Sequence, residues 1–254
     1  MKKLLVAAVA LAAGVASADI VSSSVVGYTT SDLQNGGKFT TFMVPFNNVA
    51  DEDAGVDLAD LTIANYRTGV AGPQADQVWL WTGTGWDKYF KNTTGVWRQA
   101  AGTKTFAQNY PDGLAQGSAI YFKSFANDSS EKSVTTAGAV EMDDEVEVPL
   151  ATSGRFAFVG NPYPVAWNLA DSTQFEITNY RTGVAGPQAD QIWVWTGTGW
   201  DKYFKNTTGV WRQAAGTKTF AQNYPNGLDV GAGVYFKSFA NDSAEKKVVF
   251  SKPF

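Results

Sequence analysis

The run WTGTGWDKYFKNTTGVWRQAAGTKTFAQNYP occurs twice without a change, once from Trp81 and again from Trp195. A looser match extends from Asn65 to Val134 against Asn179 to Val248, with size-preserving differences such as Val78/Ile192 and Leu80/Val194. One domain has been copied, so any fold must work as two near-identical units on one chain. Upstream, Gly37-Lys38-Phe39 matches Gly154-Arg155-Phe156 in a shifted register, and the difference falls near the polar loop Asp51 to Gly55. Identity of this kind preserves scaffold and site alike. It fixes the architecture and the valency without marking a functional residue.

Inside the repeat the signals are of β type. Gln77-Val78-Trp79-Leu80-Trp81 is β-branched and aromatic and apolar on both faces, which predicts a central strand covered on both sides. Thr82 to Gly85 turns the chain into Trp86 to Lys91, and Asn92 to Gly95 turns it again into Val96-Trp97-Arg98, giving a three-strand meander with Gly95 suited to a left-handed position. Ile120 to Phe125 and Phe39 to Phe46 (Phe156 to Val159 in the second copy) read as further strands. The short segment Val56 to Ile63 is the best helical candidate, too short to be stable alone. The expectation is an all-β chain of two tandem homologous β-sandwich or partly open barrel domains, over residues 19–140 and 141–254.

Residues 1–18 read as a signal peptide: Lys2-Lys3, the apolar run Leu4 to Val15, and Ala16-Ser17-Ala18 as the cleavage site. A secreted or cell-envelope protein is expected, with no membrane span, because the run falls short of the ~20 residues a span needs. The whole chain carries a net charge of −4, and losing two lysines makes the mature part more acidic, so nucleic acid is not an expected partner. Cysteine and histidine are both absent. That removes a disulfide framework, Ser-His-Asp and Cys-His catalysis, and imidazole metal ligands.

Three groups of residues carry possible chemistry. The first is aromatic: Trp79, Trp81, Trp86, Tyr89, Phe90 and Trp97, repeated as Trp193, Trp195, Trp200, Tyr203, Phe204 and Trp211. Such rings are either core or a stacking platform for the apolar face of a pyranose. Position beside turns favours exposure of Trp86 and Trp97 over Trp79 and Trp81. The ligand-contact set is therefore Trp86, Tyr89, Trp97 and Arg98, with Trp200, Tyr203, Trp211 and Arg212. The second group is acidic: Asp51, Asp53, Asp143 and Asp144 offer oxygen ligands for calcium without the spacing of an EF-hand loop, and a solvated acidic surface is the simpler reading. The third is Asp76 with Asp87, and Asp190 with Asp201, as carboxylate pairs for glycoside hydrolysis.

Val25-Val26-Gly27-Tyr28, Asn161-Pro162-Tyr163, the W-x-G-x-G-W-x-x-Y unit at Trp81 to Tyr89 and Trp195 to Tyr203, and Gly231 to Phe236 together resemble a loose group of secreted bacterial tandem-repeat β proteins. Copy one departs from the pattern, with Met43-Val44-Pro45-Phe46 where copy two has Gly160-Asn161-Pro162-Tyr163. The resemblance implies an envelope or extracellular location and a non-enzymatic role, and it carries over no catalytic residue. The reading is thus a non-catalytic surface binding or adhesion protein without a resident cofactor, polysaccharide or surface glycan being the expected ligand. The alternative is a structural subunit that assembles with copies of itself, through β edges and a free N-terminal strand around Ile20 to Thr30.

Overall fold

The computed structural model describes residues 26–49 and 55–253. The expected signal peptide (residues 1–18), the start of the expected N-terminal strand (Ile20 to Val25), Asp51 and Asp53 lie outside the described residues. The first unit contains β1 (Val26–Leu33), β2 (Phe39–Met43), β3 (Phe46–Asn47), β4 (Thr62–Ile63), β5 (Gln77–Trp81), β6 (Trp86–Lys91), β7 (Trp97–Gln99), α1 (Phe106–Asn109), β8 (Ala119–Lys123) and β9 (Lys132–Val140). The second contains β10 (Glu145–Leu150), β11 (Phe156–Gly160), β12 (Phe175–Ile177), β13 (Gln191–Trp195), β14 (Trp200–Lys205), β15 (Trp211–Gln213), α2 (Phe220–Asn223), β16 (Gly233–Lys237) and β17 (Lys246–Ser251).

Each unit is an open sandwich of two antiparallel sheets. The larger sheets have matching orders, β2-β8-β5-β6-β7 and β11-β16-β13-β14-β15, and the expected meander is β5-β6-β7. The smaller sheets are built around one long strand: β9 takes β1 on one side and β3 and β4 on the other, and β17 lies between β10 and β12. Strand β1 is therefore not free. It pairs along its whole length with β9, Val26 opposite Ala139 through Leu33 opposite Lys132. Unit 1 fills the space between its sheets with Phe42, Val78, Leu80, Tyr89, Trp97, Ile120, Phe122 and Val134, and unit 2 with their counterparts.

Local chemistry explains the turns. Gly95 and its copy Gly209 sit at φ of 84° and 83°, as a left-handed loop position requires. Asn92 caps that loop, its Oδ1 accepting from the backbone N–H groups of Thr94 and Val96 at 3.1 and 2.9 Å. In place of a helix, the segment Val56 to Ile63 contributes a 3-10 turn at Leu58–Asp60 and the short strand β4. α1 lies in a stretch whose polarity suggests no helix, and a capping box starts it: the Thr105 N–H donates to Gln108 Oε1 at 2.9 Å.

A buried ion-pair network staples the two sheets of each unit. Lys132 Nζ, at the start of β9, donates to Asp76 Oδ2 at 2.9 Å, Asp128 Oδ2 at 2.8 Å and the Asn65 carbonyl at 2.6 Å. Asp76, just before β5, also accepts from the Arg67 and Phe125 backbone N–H groups, both at 2.7 Å. The Lys132 and Asp76 side chains are fully buried. Unit 2 repeats the network with Lys246, Asp190 and Asp242.

These pairings set a pH profile. The Lys132 ammonium, helped by the Ser130 N–H, holds the Asp128 carboxyl down to about 2. Its stabilisation is complete above the ordinary value of ~4 and is lost as pH falls through about 2. Burial, reinforced by Glu141 and Asp143, pushes the Tyr163 phenol up to about 12, so its contribution is complete below ~10 and is lost as pH rises toward 12. With no histidine or cysteine, no side-chain type has an ordinary pKa between roughly 5 and 8. Urea midpoints are expected to be flat across that range and to fall at both ends, and a steep change between pH 6 and 8 would contradict this.

Candidate functional site

Strand parity decides where the aromatic residues go. Val78 and Leu80 of β5 face the unit's own core, so Trp79 and Trp81 face the other way. Register then places Trp86 of β6 opposite Trp81 and Lys88 opposite Trp79, with Lys88 Nζ 4.0 Å from the Trp79 ring centre. Phe39, Met43, Ala119 and Tyr121 join the same face from β2 and β8. The result is a contiguous aromatic patch, but it is not open to a ligand. It packs against the equivalent face of unit 2 in one cluster with Phe156, Phe158, Trp193, Trp195, Trp200 and Tyr235.

The seam between the units is ring on ring. Trp86 lies 6.0 Å from Phe158 and 6.1 Å from Tyr235, while Tyr121 lies 5.8 Å from Trp195 and 5.9 Å from Trp200, centre to centre. Two hydrogen bonds cross it reciprocally: the Trp81 indole N–H donates to the Phe156 carbonyl at 2.7 Å, and the Trp195 indole to the Phe39 carbonyl at 2.8 Å. Each indole thus satisfies its donor on the other unit while its rings bury apolar area. The double-sided apolar pattern of β5 and β13 has its explanation here, one face for the core and one for the other copy.

The expected contact residues divide accordingly. Trp86 and Trp200 are partly buried in the seam, and their place beside a turn does not expose them because the opposite unit covers that turn-proximal face. Tyr89 and Tyr203 are fully buried, and their hydroxyls accept from Asn109 and Asn223. Trp97 and Trp211 are buried as well, correcting the expectation that Trp97 is more exposed than Trp79 or Trp81. Opposite Lys91 in the ladder, Trp97 points inward and meets the edge of Tyr66 at 5.2 Å. Only Arg98 and Arg212 of the set are exposed.

The acid candidates fare differently. Asp76 and Asp190 are committed to the buried ion pairs. Asp87 is tied to Gln99 Nε2 at 3.3 Å and to the Tyr110 hydroxyl at 3.1 Å. Asp143 and Asp144 are exposed, with Asp144 only 3.8 Å from Lys252 Nζ. Among the described residues no cluster of three or more acidic side chains is arranged to hold a metal ion. No described helix is long and apolar enough to cross a membrane.

A cleft lies elsewhere, on the open side of unit 2. Here β12 and β15 are the outer strands of their two sheets, and the gap between them and α2 forms a cleft of about 600 Å³. Tyr180, Trp211, Phe175 and Phe220 line its depth, and Glu176, Lys205, Ser172 and Thr219 supply polar groups. The indole of Trp211 is set by an edge contact with Tyr180 at 5.2 Å. The Tyr180 hydroxyl accepts from the Lys205 N–H at 3.1 Å, and burial raises its pKa, keeping it neutral. Unit 1 packs Tyr66, Trp97 and Phe106 in the same way, with uncharged Thr62 where unit 2 has Glu176. Sequence reasoning singles out Trp211 but misses Glu176, Tyr180 and Lys205, because the cleft joins two sheet edges separated along the chain.

Comparison with protein-family models, curated proteins and solved structures returned no match.

Proposed function

We propose that the chain is a non-catalytic extracellular or cell-surface binding protein whose ligand class is glycan, received in the open side of unit 2. The observation that carries the reading is the cleft itself: a floor of largely buried rings, with Tyr180 half-buried, beside a carboxylate, an ammonium and two hydroxyl groups. Such a set matches the alternating C–H faces and hydroxyl rims of a saccharide, and its volume falls within the roughly 300–1,000 Å³ of ligand sites. A non-catalytic role is supported by the fate of the carboxylates, since Asp76 and Asp190 cannot leave their lysines without exposing a buried charge. The test is retention on insoluble polysaccharides of wild type against Glu176→Gln combined with Lys205→Met, which alters the polar rim and leaves the buried rings in place. Loss of two hydrogen-bonding groups at about 1 kcal/mol each is expected to weaken retention about tenfold or more. Equal retention would sink the site, and no retention of wild type on any polysaccharide would sink the ligand class.

A specific observation also favours self-assembly as a second reading. β1 is the outer strand of its sheet and carries neither proline nor lysine, with Val26 and Tyr28 each 56% exposed. The equivalent edge β10 is guarded by Glu145, Glu147 and Pro149, which discourage a further strand. Sedimentation of mature protein over a wide concentration range distinguishes the two readings, since strand addition at β1 predicts oligomers that a Thr29→Pro variant cannot form.

A further inference from the structure

The seam is nearly two-fold symmetric, and its departures from symmetry are informative. Besides the paired indole bonds, the Met43 N–H donates to the Gly231 carbonyl at 2.7 Å and the Gly160 N–H donates to the Gly117 carbonyl at 3.0 Å. Met43 is the counterpart of Gly160, and Gly117 of Gly231, so this pair of bonds is reciprocal too. Residues lying near such an axis meet their own counterparts. Met43 meets Gly160, and Ala119 meets Gly233.

At both contacts unit 1 supplies the side chain and unit 2 the vacancy. A Cβ added at Gly160 would lie 2.5 Å from Met43 Cγ, and one added at Gly233 would lie 2.6 Å from Ala119 Cβ. The two positions are also paired within each unit, Met43 opposite Ala119 in one ladder and Gly160 opposite Gly233 in the other. Unit 1 thus presents a two-residue ridge and unit 2 a two-glycine groove at the same spot on otherwise matching faces. Neither glycine has a positive φ, so turn geometry does not demand them. Contact across the seam does.

We infer that the aromatic face is a polarised recognition surface, which accepts the complementary unit and rejects its own kind. Two unit-1 faces would set methionine against methionine and alanine against alanine where the present spacing has no room for a single added carbon. Two unit-2 faces would set four glycines together and leave a gap at the axis. Both cost free energy, by overpacking or by an unfilled cavity. The partner that fits this surface is therefore the other unit, from the same chain or, in a crossed exchange, from a second copy of it. Steric mismatch of this sort gives specificity by penalising the wrong pairing.

The intact chain tests this. Gly233→Ala makes the contact with Ala119 like-with-like and is expected to lower the thermal midpoint by about 3–10 °C. Adding Ala119→Gly reverses ridge and groove at that point and is expected to recover at least half of the loss. Should Gly233→Ala leave too little folded protein, Gly160→Ala with and without Met43→Gly provides the same cycle at the neighbouring contact. Recovery in the exchanged variant supports the inference, since residues in contact are non-additive. An exchanged variant no more stable than the single glycine replacement at both contacts overturns it.

Discussion

Lys132→Met is expected to destabilise unit 1 by about 3–5 kcal/mol, the cost of removing one partner of a buried ion pair. Its ammonium is the cation that Asp76 faces in the interior, and the methionine side chain fills similar volume without donating. Asp76 keeps its two backbone donors from Arg67 and Phe125, so it stays in place as an uncompensated charge. Substituting Asp76→Asn in the same chain removes that charge, and the double variant is expected to lose less than the two single losses together. Urea denaturation at neutral pH measures all three. Strict additivity, or a Lys132→Met loss below about 1 kcal/mol, would show that the network is not the staple between sheets that its geometry implies. Lys246→Met should act on unit 2 in the same way, because Asp190 has the same donors.

Trp86→Ala combined with Trp200→Ala is expected to have an effect at least as large. Full burial makes a tryptophan-to-alanine change cost about 3–5 kcal/mol, and these two are only partly buried, so about 2–3 kcal/mol each is expected. The loss falls on the seam. Trp86 loses its contacts with Phe158 and Tyr235, and Trp200 its contact with Tyr121, while both unit cores are untouched. Denaturation of the variant should split toward two transitions, one for each unit, where coupled unfolding is expected of the wild type. Polysaccharide retention should survive in whatever fraction remains folded, because the proposed cleft lies on the far edge of unit 2. A single unchanged transition with retention abolished would return these tryptophans to the role of ligand platform.

Much of the architecture can be read from residue patterns. The double-sided apolar character of Gln77 to Trp81 signals a strand covered on both faces, and the glycine-containing turns place the meander. What covers the second face is not local information. The same pattern serves a buried sheet, a ligand platform or a partner copy, and only the packing of β5 against unit 2 distinguishes them. Trp97 shows a related limit: being next to a turn says nothing about which way a side chain points, which is set by its ladder partner Lys91 and by Tyr66. Asp76 looks like a candidate acid until Lys132, far along the chain, is brought beneath it. The helix at Phe106 is a different case, since Thr105 and Gln108 form a capping box that a closer reading of the sequence reveals. The cleft residues Glu176 and Lys205 have no such signal, because neither sequence spacing nor residue type links two sheet edges.

The central claim is that the repeated aromatic faces join the two units to each other. Hydrogen exchange of the tryptophan indole N–H groups, read by NMR on the intact chain, tests it most directly. Trp81 and Trp195 donate across the seam to Phe156 and Phe39, so their indole protons should exchange far more slowly than an open indole, and both should lose protection together in the Trp86→Ala, Trp200→Ala variant. Exchange of both protons at the rate of a free indole in the wild-type chain would contradict the account.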